Sequence, residues 1–150
     1  MKANKGQIEK ALDAPPADIR LFLLSGPDEA GSATLAKRLA RAMGPEAERI
    51  DLDASTLKSD PARLADEAAS LSMFGDRRWI RVTPAGDEVL PAIEALLEAA
   101  QAGNPVVVIA GALKGGSKLL KLAQDNVAAM SFVSYVPDAR DADQTAMAMA

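Results

Sequence analysis

The chain of 150 residues contains neither cysteine nor histidine. Without cysteine it can form no disulfide, no thiolate nucleophile and no cysteine-ligated zinc site. Without histidine it has no Ser-His-Asp arrangement and no imidazole base or metal ligand. Any catalysis would therefore depend on Asp, Glu, Lys or Ser.

Long apolar runs and a secretory signal are also missing. No stretch reaches the about 18 apolar residues of a transmembrane helix, and the first ten residues, MKANKGQIEK, lack the apolar segment of a signal peptide. The cytoplasm is therefore the expected location, without a membrane partner. The net charge of −4 gives no overall basic field that would attract nucleic acid. What is present, 49% hydrophobic and 25% charged residues, is typical of one globular domain.

The most informative stretch is LFLLSGPDEAGSATLAKRL, residues 21–39. Its apolar run, Gly-Pro turn, second glycine and helical pattern predict strand, loop and helix, which is the setting of a phosphate-binding loop. Gly26 and Gly31 have the spacing of that loop. Ser32 and Ala33 follow, however, where a working loop has a lysine for the phosphates and a hydroxyl for magnesium. The stretch is either a degenerate nucleotide site or an ordinary turn with two glycines.

Two further features argue against ATP hydrolysis. Asp28 and Glu29 would repel a phosphate placed in the loop. The strand expected beside the first, Val106–Ala110, is followed by Gly111-Ala112-Leu113, without the carboxylate that holds magnesium and polarises water. We therefore expect no nucleotide cofactor, no metal and no catalytic residue in this domain.

Apolar patterns predict five strands that alternate with helices. The strands are expected near residues 20–24, 49–53, 78–82, 105–110 and 130–136, and the helices near 3–12, 30–43, 60–74, 87–102 and 117–124. Such alternation requires a parallel sheet with helices on both faces. The first and fourth strands are apolar throughout, which predicts central positions, whereas the alternating second and fifth strands predict edges. The predicted fold is a three-layer α/β domain of the P-loop type, a five-stranded parallel sheet with strand order 5-1-4-3-2.

Three charged clusters have both a functional and an ordinary explanation. Asp51 and Asp53 could bind a metal, but two carboxylates are few ligands, and solvated edge charges explain them better. Arginines around Trp79 could form a nucleic-acid patch, although Arg78 and Trp79 on a strand point to opposite faces, which favours a core Trp. The lysines of segment 114–118 could hold an anion at a helix start or form a solvated face.

The segment SLSMFGDR, residues 70–77, contains a candidate for partner binding. If Leu71 belongs to the buried stripe of a helix, Met73 and Phe74 cannot both continue that stripe, because consecutive helical residues point about 100° apart. One or both could project as an anchor for a hydrophobic pocket on a partner. Alternatively, Phe74 could fold back onto the core near Trp79.

These features together resemble the delta subunit of bacterial DNA polymerase III, a clamp-loader subunit, over its N-terminal AAA+ domain. The resemblance covers nearly the whole chain and rests on the loop GPDEAGSATLAKRL without its lysine, the helix end ASLSMFGDRRWIRV and the strand PVVVIAG. In that family a hydrophobic pair inserts into a pocket of the sliding clamp. The resemblance assigns this role to Met73 and Phe74, where the family commonly has Leu-Phe, and places Leu71, Ser72 and Gly75 beside them.

The resemblance implies a subunit that binds and opens the ring-shaped sliding clamp during DNA replication without hydrolysing ATP itself. Its partners would be the clamp (the beta subunit), the delta-prime and tau/gamma subunits of the loader and, indirectly, primed DNA; the parent complex is a DNA-polymerising nucleotidyltransferase. Residues 1–137 would form the AAA+-like domain, and residues 138–150 the linker and start of a helical lid domain. The alternatives are a divergent P-loop ATPase or kinase, a structural assembly module, and a direct nucleic-acid binder with salt-dependent affinity.

Overall fold

The computed structural model describes residues 1–70, 77–113 and 116–134. Within these ranges the strands are β1 (Leu21–Ser25), β2 (Glu48–Leu52), β3 (Arg78–Ala85), β4 (Val106–Ala110) and β5 (Ala129–Val133). The α-helices are α1 (Lys5–Asp13), α2 (Glu29–Met43), α3 (Ala54–Ser59), α4 (Ala62–Ala69), α5 (Leu90–Glu98) and α6 (Lys118–Asp125), and a short 3-10 helix spans Asp87–Val89. Among these helices, none has both the length and the apolar character needed to cross a membrane. The predicted domain boundary at residues 137 and 138 lies outside the described ranges.

The five strands form one parallel sheet in the order β2-β3-β4-β1-β5. This is the predicted order 5-1-4-3-2 read from the opposite edge. The two central strands, β1 and β4, are buried at every position and pair with Leu21 opposite Val106. β2 is largely exposed at one edge, and Lys2 forms an isolated parallel bridge with Ser131 at the other. Both faces of β1 and β4 are covered, which explains why these two strands are apolar throughout.

Helices cover both faces of the sheet. Alternate side chains of a strand point to opposite faces, so Phe22 and Trp79 join α1 and α2 in one apolar cluster. Leu23 and Ile80 join α3, α4, α5 and α6 in the other cluster. The chain therefore has the predicted α/β architecture, and Trp79 is buried in the core as its strand position predicts.

One helix is absent from the sequence-based prediction. α3 begins after Asp53, whose carboxylate accepts a 2.7 Å hydrogen bond from the amide of Thr56. Its single buried apolar residue is Leu57. A helix of six residues is too short to show the 3.6-residue repeat by which longer helices are identified.

Four predicted element ends are wrong. β5 ends at Val133 and not at residue 136. α4 ends at Ala69 and not near residues 73–75. α5 ends at Glu98 and not at Ala102, because Arg20 donates hydrogen bonds to three carbonyl groups at its end. β3 extends to Ala85 instead of Val82, across a register shift in its pairing with β4. Such an irregularity lets the strand include a proline, which has no amide hydrogen to donate.

Candidate functional site

The loop between β1 and α2 lies at the carboxyl edge of the sheet, where three strand ends approach closely. Gly26 has φ of 111°, a conformation that side chains rarely adopt. A Cβ atom at Gly26 would overlap the backbone of Ser134, which follows β5. The amide of Ser134 donates to the carbonyl of Ser25 at 2.7 Å, and that of Gly26 donates to the carbonyl of Gly111 at 3.1 Å. This packing alone requires glycine at position 26, whether or not a ligand binds.

The amino terminus of α2 already has an acidic side chain at the place where a phosphate would bind. Asp28 caps the helix: its carboxylate accepts a 2.9 Å hydrogen bond from the amide of Gly31. The amide of Ser32 donates to the carbonyl of Asp28 at 3.1 Å. Helix amides of this kind hold the anion in a phosphate-binding loop. Since α2 begins at Glu29, before the second glycine, these amides are engaged inside the protein.

The two positions that should carry the lysine and the magnesium-binding hydroxyl lie in the packed part of α2. Ser32 is fully buried, and its Oγ has no hydrogen-bond partner among the described residues. Ala33 borders a cavity of about 230 Å³ together with Glu29 and Arg81. A side chain at position 32 therefore starts from the buried side of the helix. The structure places Gly26 in the β1–α2 loop and Gly31, Ser32 and Ala33 in the first turns of α2.

A groove of about 480 Å³ borders the same loop, between α1, α2 and the end of β5. Its lining includes Asp28 and the side chain of Arg38. Arg38 forms ion pairs with Glu9 and Asp13, each at 2.8 Å. Two cationic side chains, Lys5 and Arg38, line the groove, and the guanidinium of Arg38 is engaged by two carboxylates.

The carboxylates considered as metal ligands have structural roles. Asp51 pairs with Arg49 at 3.1 Å. Asp53 caps α3, and the hydrogen bond from the backbone amide of Thr56 lowers the pKa of the Asp53 carboxyl. Across residues 1–70, 77–113 and 116–134, no three Asp or Glu side chains come together as a metal site would require.

At the start of α6, where the sequence left open an anion site or a solvated face, an acidic side chain binds the helix terminus. Lys114 lies outside the described residues. The carboxylate of Asp87 accepts hydrogen bonds from the hydroxyl of Ser117 at 2.6 Å and from the amide of Leu119 at 3.2 Å. The first turn of α6 is therefore neutralised from within the protein, as that of α2 is.

Outside the described residues lie all of the predicted clamp-binding residues: Leu71, Ser72, Met73, Phe74 and Gly75. The chain on both sides of them is described. α4 ends at Ala69, and β3 begins at Arg78. Because β3 is parallel to β1, Arg78 lies at the amino edge of the sheet, opposite the β1–α2 loop. The described residues that flank the predicted clamp-binding segment thus lie at a different edge of the sheet from the β1–α2 loop.

The end of α4 is held by Asn104, which lies in the loop before β4. The side-chain amide of Asn104 donates to the carbonyl oxygens of Glu67 at 2.9 Å and Ser70 at 2.7 Å. Its backbone amide donates to the carbonyl of Ala68 at 3.0 Å. Carbonyl groups at a helix end have no hydrogen-bond partner within the helix. Asn104 supplies hydrogen-bond donors to three of them. No sequence pattern identifies this role of Asn104.

Arg78 is the first residue of β3, and its side chain contacts the end of α4. Its guanidinium donates to the hydroxyl of Ser70 and forms an ion pair with Glu48 of β2 at 2.8 Å. The Ser70 hydroxyl in turn donates to the carbonyl of Glu67 at 2.8 Å. We call Ser70, Arg78 and Asn104 the α4 anchor. It fixes both described ends of the chain around segment 71–76.

Two surface grooves adjoin the α4 anchor. They have volumes of about 290 and 490 Å³, and Asn104 lines both. The loops that carry Ala17 and Gly103 form their shared walls. The surface around the anchor is therefore concave on two sides.

No protein-family model matches this chain, and a search of curated proteins finds no similar sequence. Its function is therefore inferred from the residues themselves.

Proposed function

We propose that this chain is a clamp-loader subunit of the delta type, which binds and opens the sliding clamp without hydrolysing ATP. Within this proposal the parallel sheet is an AAA+-like P-loop domain whose nucleotide site has degenerated. The observation that carries the proposal is that the sequence Ser72-Met73-Phe74-Gly75 occurs between two chain ends held by the α4 anchor. A short apolar motif between fixed ends is a suitable contact for a pocket on a partner.

The β1–α2 loop supports the absence of ATP hydrolysis. The carboxylate of Asp28 binds the amide of Gly31, so a triphosphate would have to displace a like-charged group from the helix terminus. Ser32 provides no cation, and its side chain is buried. The backbone spacing of a phosphate-binding loop is present, but its charges are those that repel a phosphate.

Opening of the clamp would use binding energy mechanically. Burying one Met or Phe side chain contributes about 1.5–3 kcal/mol. A pair therefore supplies up to about 6 kcal/mol, which is enough to shift a two-state equilibrium by more than a thousandfold if only one state has the pocket. Met73 and Phe74 would favour the clamp conformation whose ring interface does not close. ATP would act elsewhere in the loader, by controlling access to this surface.

The proposed partners are the sliding clamp and the delta-prime and tau/gamma subunits of the loader, with primed DNA reached through the complex. For the domain itself, the net charge of −4 does not favour direct DNA contact. A direct nucleic-acid binder would instead show affinity that falls steeply with salt.

The test is a calorimetric titration of this chain into a bacterial sliding clamp. We expect saturable binding that Phe74→Ala weakens by about 30-fold, the equivalent of about 2 kcal/mol for a buried anchor, with a comparable loss for Met73→Ala. Val127→Ala is the matched control, because Val127 is an apolar residue that is 78% exposed on another part of the chain. Folded Phe74→Ala protein with wild-type affinity would refute the proposal, and saturable binding of Mg-ATP would favour the divergent ATPase instead.

A further inference from the structure

Arg81 is a cation on a covered face of an interior strand. Side chains of a strand alternate between its two faces, so Arg81 shares its face with Trp79, which is buried in the cluster with α1 and α2. β3 has neighbouring strands on both sides. An arginine at such a position is normally paired, because a charge that is removed from water without a partner is costly.

The described residues provide no such partner for Arg81. Its Nε atom is buried and has no hydrogen-bond partner among them, and none of their ion pairs involves its guanidinium. Asp51 lies opposite Arg81 in the register of β2 and β3, but its carboxylate pairs with Arg49 at 3.1 Å. The guanidinium therefore keeps donors for an acceptor that this part of the chain does not supply.

The cavity that Arg81 lines has space for such an acceptor. It has a volume of about 230 Å³ at the carboxyl edge of the sheet, and its walls include Ala33 of α2, Thr83 of β3 and Gly111 after β4. We call it the Arg81 cavity. A water molecule takes about 30 Å³ in the liquid, whereas pockets for drug-sized ligands begin at about 300 Å³. A ligand of the Arg81 cavity must therefore be small.

Glu29 adds a negative charge to the same cavity. It is exposed and lines the cavity together with Arg81. Its Oε1 atom would lie 3.7 Å from a Cβ atom at Gly111, so its carboxylate is close to the end of β4. None of the ion pairs among the described residues involves Glu29. A simple anion in the cavity would be attracted by Arg81 but repelled by Glu29.

We propose that the Arg81 cavity binds a small zwitterion of the amino-acid type. The carboxylate of the ligand accepts hydrogen bonds from the guanidinium of Arg81, whose planar fork matches two carboxylate oxygens. The ammonium group of the ligand donates to Glu29. Such a ligand satisfies both charges, which neither a simple anion nor a simple cation does. This binding site is separate from clamp binding and does not depend on the proposed function.

The test is an NMR titration of the ¹⁵N-labelled chain, in which the backbone amide signals of Thr83 and Gly111 report binding. The probes are glycine, acetate and methylamine, which carry both charges, the negative charge alone and the positive charge alone. We expect glycine to shift both signals to saturation and to bind about threefold more tightly than acetate, the equivalent of one exposed ion pair. Methylamine should bind more weakly than either.

Two variants separate the roles of the charges. Arg81→Met keeps the aliphatic part of the side chain and should weaken glycine binding about tenfold or more, because charge-assisted hydrogen bonds are lost. Glu29→Gln should weaken glycine and strengthen acetate, each about threefold. The matched control is Arg63→Met, since Arg63 pairs with Glu67 on α4, on the other face of the sheet. It should leave glycine binding unchanged.

Absence of a saturable shift with glycine in the wild-type chain would overturn the proposal, as would equal glycine binding by folded Arg81→Met. Tighter binding of both glycine and acetate by Glu29→Gln would also overturn it, because the cavity would then be a site for simple oxyanions. Since Glu29 is exposed, its variant provides this test even if Arg81→Met lowers stability. The dispersion of the amide signals checks the folding of each variant.

Discussion

Replacing Ser32 by alanine should make the protein more stable. Ser32 stands at the position of the phosphate-binding lysine, but its side chain is fully buried and its hydroxyl has no partner among the described residues. A buried polar group without a hydrogen bond costs about 1 kcal/mol at the lower end of its range. Within a helix, serine is also less favourable than alanine by about 0.5 kcal/mol.

Together these effects predict that Ser32→Ala raises the free energy of unfolding by about 1.5 kcal/mol and the melting temperature by about 4 °C. Urea unfolding followed by the fluorescence of Trp79, the single and buried tryptophan, measures the change.

Two further variants separate the effect of the buried hydroxyl from the effect of helix propensity. Ser131→Ala on β5 removes another buried hydroxyl without a partner but lacks the helix term, so we expect a smaller gain. Thr34→Ala on the same helix removes an exposed hydroxyl that donates to the carbonyl of Ala30 at 2.9 Å, and the change should stay within about 0.5 kcal/mol. A loss of stability of 1 kcal/mol or more in Ser32→Ala would contradict the reasoning, because it would mean that the hydroxyl makes a favourable contact.

Three other predictions follow from the same contacts. Restoring the phosphate-binding signature by Ser32→Lys with Ala33→Thr should destabilise the domain by several kcal/mol, since it introduces an ammonium group on a buried face. It should also leave Mg-ATP unbound in a fluorescent-nucleotide titration; micromolar affinity would contradict this. Arg20→Met should lower the urea midpoint by the equivalent of about 1–2 kcal/mol, because three carbonyl groups at the end of α5 lose their charged donor. Because the folded pKa of Asp53 is lowered, its contribution to stability is complete above the ordinary carboxyl pKa of about 4 and is lost as the pH falls through the lowered value. Asp53→Asn, which keeps the cap, should therefore lose less stability than the wild type between pH 7 and pH 3; equal losses would show that the contact with Thr56 has no effect.

The strand order could be predicted from the sequence because the burial of a strand determines its pattern of apolar and polar residues. The LFLL and VVVI runs are apolar on both faces, and β1 and β4 are interior strands that are buried at every position. The alternating pattern at Glu48–Leu52 correctly predicts an edge strand. These patterns depend only on which face of each residue meets water.

The helix ends could not be predicted as well, because side chains distant in the sequence determine them. Arg20, which directly precedes β1, donates to the carbonyl of Leu96 at the end of α5, although the two residues are 76 positions apart in the sequence. Asn104 ends α4 from a position 34 residues after Ser70. A local pattern of helix formers contains no information on either contact, so both helices are predicted too long.

The candidate sites, like the helices, were only partly predictable from the sequence. The sequence shows that the loop lacks a lysine, but it does not show that Asp28 binds the helix amides or that the side chain of Ser32 is buried. The second site, at residues 71–75, stays a prediction from resemblance. Its described neighbours, Ser70, Arg78 and Asn104, carry no motif and were identified only from their hydrogen bonds.

The central claim is that this chain opens the sliding clamp through Met73 and Phe74 without nucleotide. The most direct measurement is energy transfer between two dyes placed across one ring interface of the clamp, followed while the chain is added in the absence of ATP. The proposal predicts that transfer falls to a plateau as the clamp becomes saturated, and that Phe74→Ala causes no fall at the same concentrations. Unchanged transfer with saturating wild-type chain, or a fall that requires ATP, would contradict it.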